Sequence, residues 1–172
     1  MFRSVIIASA AILTISTAAA AADAPTDPQI AHIAYTAGNL DIAAGKQALA
    51  KSHNKAVRDF AQQMVRDHTA VNNKALALVK KLHVTPADNP TSQALTKVAA
   101  AERAKLAKMS GAAFDREYVN NEVAYHKTVN GALENTLIPS AKNGELKSLL
   151  ETGLTLFKEH QAHAEQVAKE LK

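Results

Sequence analysis

Between Gln29 and Thr85 the chain holds no proline, and its apolar positions recur at steps of three and four. That is the period of a helix with one buried face. A stretch this long has room for two such helices, whereas strands would need side chains alternating with period two. Composition agrees: 36 of the 172 residues are alanine, there is no Trp, and only three Tyr and four Phe are present. The β-branched and aromatic residues that strands favour are therefore scarce. A mainly β fold is excluded, and an all-α domain is expected.

Helix limits follow from caps and breakers. Asp27-Pro28 offers an N-cap acceptor followed by a proline at the first helical position, which predicts a first helix from about Pro28 to Lys51. Ser52 can cap a second, from about His53 to His83, stopping before the string Thr85-Pro86-Ala87-Asp88-Asn89-Pro90. Thr91 or Ser92 caps a shorter Ala- and Lys-rich segment to about Met109, closed by Ser110-Gly111. A third long helix, about Ala112 to Leu137, ends at Pro139, and a fourth runs from about Glu145 to Leu171. The first two helices, joined by a short connection, should be antiparallel neighbours. The segment from Thr91 to Met109, at about 1.5 Å per residue, covers roughly 28 Å and can carry the chain back along the bundle. The expectation is a ferritin-like four-helix bundle, up-down-down-up, with an extra short helix between the second and third long helices. An up-down-up-down bundle with the short segment across one end is the alternative.

Ahead of the helices, Arg3 is a short positive region, Val5 to Ile15 an apolar one, and Ala18 to Ala22 a run of small residues. This pattern predicts a secretory signal peptide over residues 1–22 and a helical domain over 23–172. Cleavage after Ala20 or Ala22 satisfies the small-x-small rule, and Ala22 is preferred because Asp23 then opens a polar terminus. The competing reading, a membrane anchor, is weakened by the Ser and Thr in the stretch and by the lack of a basic flank after it. No later segment is apolar enough to span a bilayer. The expected location is therefore periplasmic or secreted.

The absence of cysteine removes disulfides, thiolate metal sites and thiol nucleophiles. Basic residues are interspersed with acidic ones, at a net charge of +4, and have few aromatic partners. Nucleic acid is not an expected partner.

Ionisable residues break the apolar stripes. In the second helix the row Val57, Phe60, Met64, His68, Val71 places His68 where a core residue belongs, beside Asp67. The third helix carries Asp115, Val119, Glu122, His126, Val129 in one row. The fourth has His160 on its stripe with His163 one turn beyond, and the first has Asp41 at the stripe's edge. Such groups are costly in an apolar bundle unless they pair or bind a metal. The metal-ligand candidates are His68, His126, His160, Glu122, Asp67 and Asp115, with Asp41 and His163 as weaker members. A His/carboxylate network that fixes the register of the bundle is the alternative reading. Folding the first two helices about Ser52 puts Thr36 level with His68, so Asp41 lies some five residues, or roughly 7 Å, out of register. Glu122, His126 and His160 are the best-matched group. His32 lies off its stripe, and His53 and His83 fall at helix ends, where exposure is the default.

Val65-Arg66-Asp67-His68, then Phe114-Asp115-x-x-Tyr118, His126 and Glu159-His160 together resemble the exported bacterial family called domain of unknown function 4142. The resemblance covers about Asp27 to Leu171. It implies a ferritin-like bundle and an exported location, and no reaction. That family pattern has Glu where this chain has Asp41. Di-iron bundles use two Glu-x-x-His pairs, and this sequence has none; its spacings are Glu122-x-x-x-His126 and Glu159-x-x-x-His163. A His-rich, carboxylate-poor set suits zinc or copper at least as well as iron. No Ser/His/Asp set, phosphate-binding glycine loop or His-Glu-x-x-His motif is present, so hydrolytic and nucleotide chemistry has no support. The expected function is divalent-metal binding, with no catalytic residue assigned. The alternatives are a metal-free helical module that contacts an envelope protein and, as a third reading, redox chemistry at a bound metal.

Overall fold

The computed structural model describes residues 24–171, all of whose regular structure is helical. Helix α1 spans Asp27–Lys51, α2 Lys55–Lys81, α3 Pro90–Ala107 and α4 Gly111–Ala132. A π turn at Leu133–Leu137 and the short α5, Ile138–Ser140, extend α4, and α6 spans Gly144–Glu170. No helix among the described residues is long and apolar enough to cross a membrane. The expected signal peptide lies outside the described residues.

The helix starts differ in detail from the expected caps. Thr26, not Asp27, caps α1, with its backbone N–H donating to the Gln29 side chain at 2.9 Å. The Asp27 carboxylate is thereby free for a longer-range task. It accepts from the Lys142 and Asn143 N–H groups, both at 2.8 Å, and ties the start of α1 to the turn before α6. Ser52 closes α1, its N–H donating to the Ala48 carbonyl at 2.8 Å, so the chain needs two more residues before Asn54 caps α2 by accepting from Val57 N–H at 3.3 Å. Asn89, ahead of the expected Thr91 or Ser92, caps α3 by accepting from Ser92 N–H at 2.9 Å. Pro90 then sits at a first helical position, where its missing N–H is not needed. Gly111 has φ 57°, a left-handed conformation open to glycine at little cost, as the chain turns from α3 into α4. Pro139 lacks an N–H and would crowd the carbonyl four residues earlier. The turn before it widens into the π turn, so the helix runs on to Ser140 instead of stopping at Leu137.

Contacts fix which ends meet. The Lys81 ammonium pairs with Glu145 at 2.6 Å, joining the end of α2 to the start of α6. At the other end of the molecule Phe60 of α2 meets Tyr118 of α4, with ring centroids 6.2 Å apart, and the Lys51 ammonium lies 5.7 Å from the Phe114 ring. Helix α3 runs beside α1 over its whole length. His32 and Ser92 hydrogen-bond at 2.8 Å near their starts, and Lys51 donates to the Ala107 carbonyl at 2.9 Å at their ends.

Two apolar clusters fill the interior. One holds Val57, Phe60, Met64, Phe114, Tyr118 and Val167, and the other Ile30, Ile33, Leu133, Leu137, Leu146 and Leu150. Each of α1, α2, α4 and α6 passes from one cluster to the other, and a buried ionisable residue stands at each crossing: Asp41, His68, Glu122 with His126, and His160. The core is thus interrupted by one polar layer.

Glycine brings α1 and α2 close enough to build that layer. Gly38 and Gly45 flank Asp41 at helical steps of three and four. A Cβ on Gly45 would lie 2.9 Å from Val65 Cγ2 and 3.1 Å from the Ala61 carbonyl. Gly45→Val should therefore push the helices apart and destabilise the fold by about 2 kcal/mol. A thermal melt checks this: the midpoint should drop by about 5 °C in a chain of this size.

Candidate metal centre

The five residues of the polar layer are almost fully enclosed, at 0% relative exposure for His160, 1% for His126 and Glu122, 2% for Asp41 and 3% for His68. Asp41 Oδ2 lies 3.2 Å from His68 Nε2 and 3.4 Å from His126 Nε2. His126 Nδ1 donates to the Glu122 carbonyl at 3.0 Å and is 3.6 Å from Glu122 Oε2. Since a carbonyl only accepts, the His126 proton sits on Nδ1, and Nε2 carries a lone pair. His160 Nε2 donates to Asp67 Oδ2 at 3.1 Å, which leaves its Nδ1 as the nitrogen with a lone pair. His68 stacks on Phe157, with centroids 4.6 Å apart and planes 15° from parallel.

One potential ligand nitrogen from each of His68, His126 and His160 lies within 4.8 Å of the others, and Asp41, Glu122 and His126 form a second group by the same measure. These atoms are close but badly directed for hydrogen bonding. Both Asp41 oxygens, both His68 nitrogens, His126 Nε2, His160 Nδ1 and Glu122 Oε2 are buried without a hydrogen-bond partner among the described residues. Buried polar groups are ordinarily satisfied, and an unsatisfied cluster of lone pairs on four helices is what a cation would satisfy. Each group, three imidazoles or two carboxylates with one imidazole, could hold a metal ion.

Electrostatics favour the ligand forms of His126 and His160. Burial, with His68 adding repulsion, lowers the His160 pKa to about 4 against the pull of Asp67, and burial also lowers His126 despite Asp41. Burial alone would raise the Asp41 carboxyl, but the three histidines outweigh it and hold it below the ordinary carboxylate range. Glu122 goes the other way, pushed well up by burial and by the neighbouring Asp41 charge.

These opposing shifts give a signed prediction. On acidification below about 6.5 the unfolded chain takes up protons that folded His126 and His160 refuse, so both cost stability as pH falls. Glu122 opposes them, because the folded state holds its proton to higher pH than the unfolded one does. With two groups against one, the metal-free protein should lose stability as pH falls from about 6.5 to 5. Thermal melts across that window check the sign: a midpoint that rises on acidification contradicts the neutral-histidine layer.

The structure thus gathers His68, His126, His160 and Glu122 and promotes Asp41 from the edge to the middle. Asp41 is three residues out of level with His68 when the fold is centred on the loop rather than on Ser52. Cβ atoms tilt toward each helix's N-terminus, and on antiparallel helices those tilts bring the two side chains together. Asp67 does not join the layer. Its side chain, 16% exposed, pairs with Arg66 at 2.8 Å and orients His160 from outside. Asp115 is buried but belongs to neither ligand group. His163 lies one turn beyond, with Nδ1 2.8 Å from Gln63 Oε1 and its ring edge-on to Phe60. Sequence reasoning missed Phe157 as the platform for His68, although it stands three residues before His160 on the same stripe.

The chain matches the family model described as Domain of unknown function (DUF4142) over residues 13–167. No curated protein and no solved structure matches it.

Proposed function

We propose that this chain, which belongs to the family described as Domain of unknown function (DUF4142), is an exported ferritin-like bundle that binds a divalent metal through His68, His126 and His160, assisted by Asp41 and Glu122. The observation that carries the reading is the buried layer of unpartnered polar atoms from four helices, which form two potential ligand groups sharing His126. Asp67 orients His160, the outer-shell role a carboxylate often plays behind a ligating imidazole. Zinc or copper suits the donor set better than iron does. When bound, such an ion would supply positive charge that offsets the repulsion between the buried Asp41 and Glu122 carboxyls.

The ferritin-like up-down-down-up order is supported by the ends that meet: α2 with the start of α6, α2 with the start of α4, and α3 alongside α1. Export to the periplasm, with residues 1–22 removed and 23–172 retained, is supported by Arg3, the apolar Val5 to Ile15 and the small residues Ala18 to Ala22.

The test is to dialyse purified protein separately against zinc, copper and iron and to measure bound metal. Stoichiometric zinc or copper, lost in the His68→Ala/His126→Ala double variant, is expected. Negligible metal in every case, with melting indifferent to chelator, would leave a metal-free structural module that acts by contact with an envelope partner.

A further inference from the structure

The lower half of the bundle contains a cavity of about 610 Å³ that reaches from Pro25, Asn89 and Thr91 to His68 and His126. Its walls are mainly apolar, with Ile33, Val79, Leu133, Leu146 and Leu150 among them. The volume falls in the range of small-molecule sites, roughly 300–1,000 Å³.

The cavity's inner end is polar in one specific way. His126 and His160 each donate one ring N–H to a fixed oxygen, of Glu122 and Asp67 respectively. His68 does not: its Nε2 faces Asp41, and its Nδ1, at 3% residue exposure, has no hydrogen-bond partner. A ring nitrogen that is buried or behind a ligating one ordinarily donates to an acceptor. His68 is also a wall of the cavity, so its missing partner could come from a molecule within it.

Length narrows the class. From His68 to Val79, both in the wall, α2 rises roughly 16 Å at about 1.5 Å per residue. An extended chain advances about 1.2 Å per bond, so the space suits roughly 12 to 14 carbons. We propose that the cavity binds one single-chain fatty acid, its carboxyl group hydrogen-bonded to His68 Nδ1 and its hydrocarbon chain lying along Ile33, Leu133 and Leu150 toward Asn89. The site does not depend on the metal reading, because His68 Nδ1 lacks a hydrogen-bond partner either way.

Calorimetric titration of chelator-treated protein with dodecanoic acid and with hexanoic acid tests this. Dodecanoic acid should bind saturably, one per chain, with a negative heat-capacity change, and hexanoic acid at least a hundredfold more weakly. Ala75→Phe and Ala37→Leu, which project bulk into the cavity, should abolish binding while leaving the ligand-free melting midpoint equal or higher. His68→Phe, which keeps a ring against Phe157, should weaken dodecanoic acid about tenfold, the value of one buried hydrogen bond. Equal affinity for the two acids, undiminished binding in both filled variants, or full affinity in His68→Phe overturns the proposal. A protein that binds dodecanoic acid but no metal would remove the metal reading and leave this one standing.

Discussion

Saturating zinc should raise the melting midpoint by about 10 °C, and a chelator should return it to the starting value. At a free concentration about a thousand times the dissociation constant, a ligand that binds only the folded state adds about 4 kcal/mol. In a domain of this size each kcal/mol moves the midpoint by about 2–4 °C. The physical source is the charge arrangement: Asp41 and Glu122 are buried together, burial and the Asp41 charge push the Glu122 carboxyl well up, and ring nitrogens of His68, His126 and His160 are buried without hydrogen-bond partners. A divalent cation resolves all of these at once. The zinc effect should shrink between about pH 6.5 and 5, as protons compete for the imidazoles. Differential scanning calorimetry at both pH values, with and without chelator, measures it; a midpoint unmoved by zinc at neutral pH contradicts the account.

His126→Ala should be the most damaging single change in the polar layer, at about 3–5 kcal/mol in the metal-free protein. It removes a fully packed ring and frees the Glu122 carbonyl that His126 Nδ1 held at 3.0 Å. Asp67→Ala offers the contrast. Its loss leaves His160 Nε2 without an acceptor at the edge of the layer, where water can replace it, so about 1 kcal/mol is expected. Urea unfolding of the two variants compares them directly, and equal costs would mean that the layer is not organised around His126.

Much of this was legible in the sequence because helices declare themselves locally. The three-four steps from Gln29 onward, the breakers at Pro86 and Pro90 and the small-residue turn at Ser110-Gly111 delimit elements within a few residues of those observed. The histidines were legible because each interrupts an apolar row. What the sequence hid was direction. Asp41 looked out of register because a count of residues ignores the tilt of side chains along antiparallel helices. Asp67, adjacent to His68 in the chain, turns about the helix to serve His160 instead. The cap of α1 was misread because Thr26 and Asp27 are both good acceptors, and only the folded chain brings Lys142 and Asn143 within reach of Asp27. The cavity left no local signal either, since its wall residues read as ordinary core.

The most direct test is anomalous diffraction from crystals of zinc-loaded protein, collected on both sides of the zinc absorption edge. The account predicts one dominant peak inside the bundle, about 2.0–2.1 Å from a ring nitrogen of each of His68, His126 and His160. A peak only at surface histidines such as His53 or His83, or none at all, would contradict it.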